Sequence, residues 1–559
     1  MRQSQQRLSV SALKQLPKAS HCRDILVTTG QQQEQQQESR GYNGVYTSGG
    51  VCTSGLQSVL YPVPFSPISH AWSSPLDSDR SKKSVSRRQF HKATGGAIGA
   101  LAGFHFFPAL ADKKLEKPTL AGIGAGGKGI ADITGASKAG FQIVGLVDVI
   151  DASKLVNPEG RLKKMGQTRR DFPDARFFTD YRELLSEMGD KVDAVTVSTP
   201  DHHHFHASAL AMQAGKHVYC QKPLTHGIWE ARELDRLAKQ TGVKTQMGNQ
   251  AHANDHMRRC VELIRSGVIG KVKEIHAWTN RPIWPQGFSA PPAPEAVPDG
   301  IDWQQWVGPA PWVDYSPRIA PFAWRGWWNY GTGALGDMAC HIMDLGYWSM
   351  QPATGPALSP QAVTAQQSGA TEFSPPINSV ITWDFGPSQY AAKDGFQFSW
   401  YDGYLDAHFD RENWQLVKNG NEYNHPSEDV LEGMDFSKFG SVIVGEEGKL
   451  FFNRSRNNWV LKTSHQIDGF DWPEITLPRA KDQDNYKEWL DAIEGNIDQS
   501  ESNFALAGPM TETILLGVIA QRNPDTKLEW DAEGMQIKGR PDLQNQIRRE
   551  YRKEWNPTA

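Results

Sequence analysis

Three short stretches of the chain carry side chains that could do chemistry together. In Gly331-Thr-Gly-Ala-Leu-Gly-Asp337-Met-Ala-Cys-His341 a glycine-rich loop opens a helix on which Asp337 and His341 stand four residues apart. That spacing puts both on one face, and an imidazole oriented by a carboxylate is a ready general base. In Gln221-Lys222-Pro223 a lysine is fixed before proline, where it can donate to a substrate hydroxyl and stabilise the alkoxide formed as hydride leaves. Thr199-Pro200-Asp201-His202-His203-His204-Phe205-His206 crowds four imidazoles into a short turn. Adjacent histidines cannot all converge, and no carboxylate or cysteine stands at ligand spacing, so no metal is expected. A cofactor- or substrate-facing role falls to His204. Each stretch also has a plainer reading. Lys222 would suit a surface turn, and Asp337 and His341 would suit an ordinary helix terminus.

The elements around these stretches say what must hold them. Gly124-Ala-Gly126-Gly127-Lys-Gly129 follows an apolar strand over 119–123 and opens a helix over 130–139. A second strand over 141–147 ends at Asp148, 19 positions after Gly129. In that context the glycines form a dinucleotide-binding loop. Gly124 allows the tight turn, Gly126 the approach of the pyrophosphate, and Gly129 close helix–strand packing, while the helix N-terminus offers N–H donors to phosphate. Asp148 should accept hydrogen bonds from the adenosine ribose and repel a 2′-phosphate, which favours NAD over NADP. Further strands over 175–178, 194–198, 217–219 and 243–246 alternate with helices over 181–188, 205–214 and 228–240. The alternation predicts an α/β fold with a doubly wound parallel sheet over residues 112–245. Residues 246–559 are expected to form a second α/β domain with a largely antiparallel open sheet. Its strands are placed at 272–278, 379–385, 395–400, 441–444 and 449–452, with a polar loop over 352–376. Amphipathic helices are placed at 486–494 and 510–520.

The N-terminal part is of another kind. Residues 1–80 are rich in Gln, Ser, Gly and Pro, without apolar period, and are read as a disordered or mis-assigned extension. No Met falls between Met1 and Met165, so a true start near Val85 would have been missed. Residues 81–111 read as a twin-arginine signal peptide: Ser86-Arg87-Arg88-Gln89-Phe90-His91-Lys92, a Gly/Ala-rich apolar run, and Ala109-Leu110-Ala111 as the cleavage site. The run is too short and Gly-rich for a membrane span. The expected location is therefore the periplasm, reached through the twin-arginine machinery, with no stable membrane anchor. Residues 1–111 hold 12 Lys/Arg against 5 Asp/Glu, which leaves 47 against 58 and a net charge of −11 for the rest. That balance argues against nucleic acid as a partner. Cys220, Cys260 and Cys340, the only cysteines past the signal, make neither a disulfide framework nor a zinc pattern.

Taken together, Gly122-Ile-Gly-Ala-Gly-Gly-Lys-Gly129, Thr199-Pro-Asp-His-His-His204, Ala214-Gly-Lys-His-Val-Tyr-Cys-Gln-Lys-Pro223, Met247-Gly-Asn-Gln250 and Gly336-Asp-Met-Ala-Cys-His341 resemble the glucose-fructose oxidoreductase/inositol dehydrogenase/rhizopine-catabolism (Gfo/Idh/MocA) family, in its exported branch. The resemblance runs over nearly all of residues 117–555. It implies a catalytic Lys222 with Asp337 and His341, and hydride exchange between the nicotinamide and a hydroxyl-bearing carbon of a sugar or cyclitol. It also implies cofactor contacts from Gly124, Gly126, Gly127, Gly129, Asp148, Thr199, Pro200, His204, Gln221 and Lys222, and a homo-oligomer. Substrate contacts are expected from Asn249, Gln250, Arg325, Trp327, Asp337 and His341. One residue departs from the family: Gln221 replaces the usual glutamate, which should make the Lys222 ammonium less favoured. Of the eight tryptophans between 278 and 328, two or three are expected to stack on a sugar and the rest to pack the core.

NAD is scarce outside the cytoplasm, so the expected enzyme is an oxidoreductase that keeps and recycles its NAD while acting on a secondary hydroxyl. Two alternatives stand beside it. One is an NAD-dependent glycoside hydrolase or lyase working by transient oxidation at C3. The other is a non-catalytic sugar-binding protein, which should lack the Lys/Asp/His set.

Overall fold

The computed structural model describes residues 117–556, except 159, 437, 455 and 465–471, together with the backbone of Arg23–Val27. The expected export signal and cleavage site lie outside the described residues, as does the expected 1–80 extension apart from Arg23–Val27. Six parallel strands stand in the order Arg176–Phe178, Gln142–Val147, Thr119–Ile123, Ala194–Val197, His217–Cys220 and Thr245–Met247. The chain starts in the middle, winds to one edge, returns, and winds to the other. The order reverses between Thr119–Ile123 and Ala194–Val197, and ligands bind doubly wound sheets above such a crevice. All four residues of Ala194–Val197 are buried, as expected of a strand covered by helices on both faces.

Local signals set the helix ends. The Glu230 carboxylate accepts the N–H groups of Gly227 (2.9 Å) and His226 (3.1 Å) at the start of helix Ile228–Thr241, so two orphan donors are satisfied. Gly242, with φ near 72°, closes that helix. The histidine segment corrects its expectation: it is no turn, because the helix begins at Asp201 and runs to Gln213. Pro200 can precede a helix but not continue one, and Asp201 suits the first turn. The four imidazoles therefore point around a helix rather than across a loop.

The second domain is built on a sheet of ten strands with Val272–Thr279 near its centre. That strand pairs in parallel with Phe396–Asp402 and antiparallel with Phe439–Gly445. Every other ladder in the sheet is antiparallel, including that of Arg23–Val27 on Asn458–Thr463. Asn378–Phe385 alternates half-buried and buried residues along its length, the pattern of a strand with one covered face. The expected polar loop over 352–376 contains a strand, Ala362–Ser368, paired with Asn378–Phe385. Its Thr and Gln residues hid it. Helix Phe504–Arg522 is buried on almost every side rather than amphipathic. It packs between helix Ile228–Thr241 and the strands Ala362–Ser368 and Asn378–Phe385. It is the one described helix long and apolar enough to cross a membrane, and it serves as a core helix.

Candidate active site

The glycine loop is shaped by what cannot be there. A Cβ on Gly124 (φ +85°) would meet the Ser198 carbonyl oxygen at 2.7 Å, and one on Gly129 would meet the Gly124 oxygen at 1.7 Å. Gly126 and Gly127 complete the turn into helix Lys128–Ala139. Asp148 stands at the rim, accepting the N–H groups of Gly126 (2.8 Å) and Ile150 (2.9 Å). Burial raises its carboxyl to about 6, against the lowering effect of these donors. The Thr199 hydroxyl is buried without a partner beside this loop. A close-approach turn, a rim carboxylate and an orphaned donor suit a dinucleotide.

One turn into that helix, the fully buried Asp132 collects four donors. Lys128 Nζ, Ser198 Oγ (2.7 Å), Gln221 Nε2 (2.9 Å) and Tyr486 OH (2.7 Å) all reach its carboxylate. Gln221 thus meets a carboxylate where a glutamate would add a second one. Lys222, the next residue, donates to Asp337 twice, to Oδ1 and to the main-chain oxygen, both at 2.7 Å. A counter-charge for Lys222 comes from Asp337, so the ammonium keeps a carboxylate partner although Gln221 supplies none. Arg325 binds both oxygens of Asp201 through Nη1 at 2.9 Å and lies 3.4 Å from Asp337 Oδ1. Thr332 Oγ1 also donates to Asp201 (2.9 Å). Lys222, Arg325 and Arg281 hold the Asp337 carboxyl far below the usual carboxylate range although burial alone would raise it.

His341 follows one turn after Asp337, but no hydrogen bond joins the two. Asp337 is spent on Lys222 and Arg325, and His341 Nδ1 is buried without a partner. The carboxylate anchors the lysine rather than orienting the imidazole. Burial, then the Lys222 and Arg454 cations, push the His341 imidazole well below 6.5, with Asp337 acting in the opposite direction. It is a neutral base beside a paired lysine.

Several expected contacts fall elsewhere. His204 does not line a ligand space: its Nδ1 meets Pro223 O (2.8 Å) and its Nε2 meets Thr199 O (2.9 Å). Carbonyl oxygens only accept, so this pair of partners favours the ring with both nitrogens protonated. Burial would lower its pKa, yet Cys220, Asp201 and the Pro223 carbonyl raise it to about 9. His204 thereby braces the Thr199–Pro200 and Lys222–Pro223 turns from behind. Trp327 is a core residue, 1% exposed and packed on Phe288 with ring centroids 4.4 Å apart. The indole beside the site is Trp324, with the Arg325 guanidinium 4.3 Å above its ring. Asn249 is fully buried, donating to Asp344 (2.8 Å) and accepting from Ser502 (2.6 Å), so it supports the site rather than reaching into it. Gln250 is half-buried and faces Tyr219 OH at 3.4 Å. The other histidines of the cluster bind carbonyls of Tyr330, Trp306 and Trp555. No metal-ligating trio converges among the described residues. Asp132, Asp201 and Trp324 were not assigned roles from sequence. Only the position of Asp201 in the Thr-Pro-Asp-His stretch pointed to it.

Known proteins match along the same lines. Residues 119–249 match the model of an oxidoreductase family's NAD-binding Rossmann fold, and residues 257–368 match the C-terminal alpha/beta domain of the same family, Gfo/Idh/MocA. An uncharacterized oxidoreductase of Schizosaccharomyces pombe is 30% identical over 115 residues, 21% of this chain and 31% of that protein. The scyllo-inositol 2-dehydrogenase (NADP(+)) of Bacillus subtilis is 24% identical over 250 residues, 44% of this chain and 56% of that protein. The chain thus spans from about a third to about half of these curated relatives. Among solved structures, the WlbA dehydrogenase of Bordetella pertussis, in complex with NADH and UDP-GlcNAcA, superposes with a TM-score of 0.49 at 16% identity. That superposition covers 74% of this chain and 99% of the other. Both domains of the Gfo/Idh/MocA oxidoreductases, the NAD-binding fold and the C-terminal alpha/beta domain, are thus matched in order along this one chain.

Proposed function

We propose that the protein oxidises a secondary hydroxyl of a sugar or cyclitol with a tightly held NAD, and that it works in the periplasm after twin-arginine export. The observation that carries the reading is the meeting of Lys222, Asp337 and His341 next to the glycine loop. Bound NAD would supply a two-electron acceptor at its nicotinamide. The chain does the rest. Two of the Lys222 ammonium donors go to Asp337, and a third remains to hold the substrate oxygen and stabilise negative charge on it. His341, kept neutral, takes the hydroxyl proton. The C–H hydrogen leaves with its electron pair and the carbon becomes a ketone, so one proton and one hydride account for both hydrogens. Asp148 at the rim would bind the ribose hydroxyls and repel a 2′-phosphate, which supports NAD over NADP.

Export of a folded protein can carry a bound cofactor, and a retained cofactor must be reoxidised in place by a second carbonyl substrate. Denaturing the purified protein and assaying the supernatant for NAD(H) tests this. About one equivalent per chain is expected, and its absence after gentle purification would sink the retained-cofactor reading. Following ketone formation and glycoside cleavage separately on the same samples distinguishes oxidation from redox-neutral cleavage.

A further inference from the structure

Charge around the catalytic pair does not balance. Three of the cations acting on Asp337 or His341 are matched: Lys222 by Asp337, Arg325 by Asp201 and Asp337, and Lys128 by Asp132. Arg281 acts on Asp337 and Arg454 acts on His341, and neither forms an ion pair with any described residue. The Arg454 Nε is buried without a hydrogen-bond partner. The one carboxylate in its field, Asp344, is already taken by His252 (2.9 Å) and Asn249 (2.8 Å). A half-buried guanidinium with an unpartnered buried Nε and no counter-ion is suited to receive an anion.

Topology puts the two arginines at the same end of the sheet. Phe439–Gly445 runs antiparallel to both Val272–Thr279 and Gly448–Asn453, so those two strands point the same way. Arg281 lies two residues past the end of one, and Arg454 follows the end of the other. Phe439 pairs with Thr279, and continuing the Ser441–Phe452 register puts Arg454 opposite Phe439. With neighbouring strands spaced about 4.8 Å, the two main chains are about 10 Å apart at one end of the sheet. Helix Gly333–Ile342, which carries Asp337 and His341, packs on Val272–Thr279 and Phe439–Gly445. Beyond Arg281, Lys418 stands over the Tyr404 ring at 3.9 Å, also without an ion pair, and lies in the field of Arg281. This cationic end belongs to a chain that is net −11 past its signal, so it is a local reversal of sign.

We propose that the substrate is an anionic pyranose, a sugar acid or a sugar ester of sulfate or phosphate, whose charged group is held by Arg281 and Arg454 while its secondary hydroxyl meets Lys222 and His341. This rests on the sugar-oxidising reading above. The planar guanidinium fork matches a carboxylate, sulfate or phosphate in two-point geometry.

The test is kcat/KM of the full chain with its bound cofactor and one fixed carbonyl acceptor to return the hydride, on matched pairs: glucuronate against glucose, galacturonate against galactose, and glucose 6-phosphate and glucose 6-sulfate against glucose. The anionic member of at least one pair should lead by tenfold or more, and which pair leads tells carboxylate from ester. Added salt should shrink the lead. Arg281→Met and Arg454→Met should each cut the anionic-to-neutral ratio by tenfold or more, chiefly through KM. The Lys variants at these positions should keep part of the ratio and so report on charge rather than on folding. Equal or better turnover of the neutral member in every pair, or a ratio indifferent to both Met variants, overturns the proposal alone. Failure of every sugar, charged or neutral, overturns the sugar-oxidising reading with it.

Discussion

His341 and His204 are buried imidazoles driven in opposite directions, and each makes its own prediction. His341 is depressed by burial and by the Lys222 and Arg454 cations. A base works in its neutral form, so kcat/KM should hold from neutral pH to below 6.5 and fall only as pH drops through the lowered pKa. His341→Ala should lose about 10²–10⁴ in kcat while keeping its bound NAD, as steady-state rates and cofactor content on one preparation will show. His204 is raised from 6.5 to about 9, Cys220, Asp201 and the Pro223 carbonyl outweighing burial. A group protonated more readily in the folded state contributes stability in full below its unfolded pKa and loses it as pH rises through the folded one. That contribution is about 3 kcal/mol. Urea titrations should therefore show stability draining between pH 6.5 and about 9 in the wild type, with that slope absent in His204→Ala. A slope unchanged in the variant would show that His204 is not the group responsible.

At the scale of elements, the knot at Asp132 fastens the glycine-loop helix to the Gln221–Lys222 turn and to helix Asn485–Ile493. Gln221→Glu would set two carboxylates in contact inside the protein. It should cost about 2 kcal/mol at pH 8, and Asp132→Asn should restore most of that loss in the double variant. Additive losses in a denaturation cycle would contradict the coupling. The knot also explains what sequence could and could not show. The parallel sheet was legible because each strand is a short apolar run and its glycine loop has fixed spacing. Asp132 was not, because three of its four donors are 66, 89 and 354 residues away. Strand Ala362–Ser368 was hidden by the polar residues of its open face; helix Phe504–Arg522 was legible only over 510–520, its first turns masked by Gly508-Pro509, and its burial all round leaves no 3.6-residue stripe. Lys222, Asp337 and His341 were legible as a set. Their wiring was not, because the i,i+4 spacing promised a His–Asp pair and the fold gave Asp337 to the lysine instead.

Over the whole molecule, the C-terminal segment returns to the first domain and covers the histidine helix. Trp555 packs on His203 and His206, with ring centroids at 5.5 and 6.0 Å, while Arg549 pairs with the buried Glu230 at 2.8 Å. Deleting residues 549–559 should cost about 3–5 kcal/mol, because it strips a packed indole and leaves Glu230 buried and unpaired. A thermal melt unchanged by that deletion would refute the role given to the tail. The two domains meet at one constellation of Lys222, Asp337 and His341 set over a dinucleotide loop, and the central claim is that this constellation moves a hydride. Single-turnover nicotinamide reduction tests it most directly, with wild type and Lys222→Met compared at equal measured NAD content. The wild type should reduce its nicotinamide on mixing with the sugar it turns over best, and Lys222→Met should be slower by about 10²–10³. Equal rates in the two proteins would contradict the account.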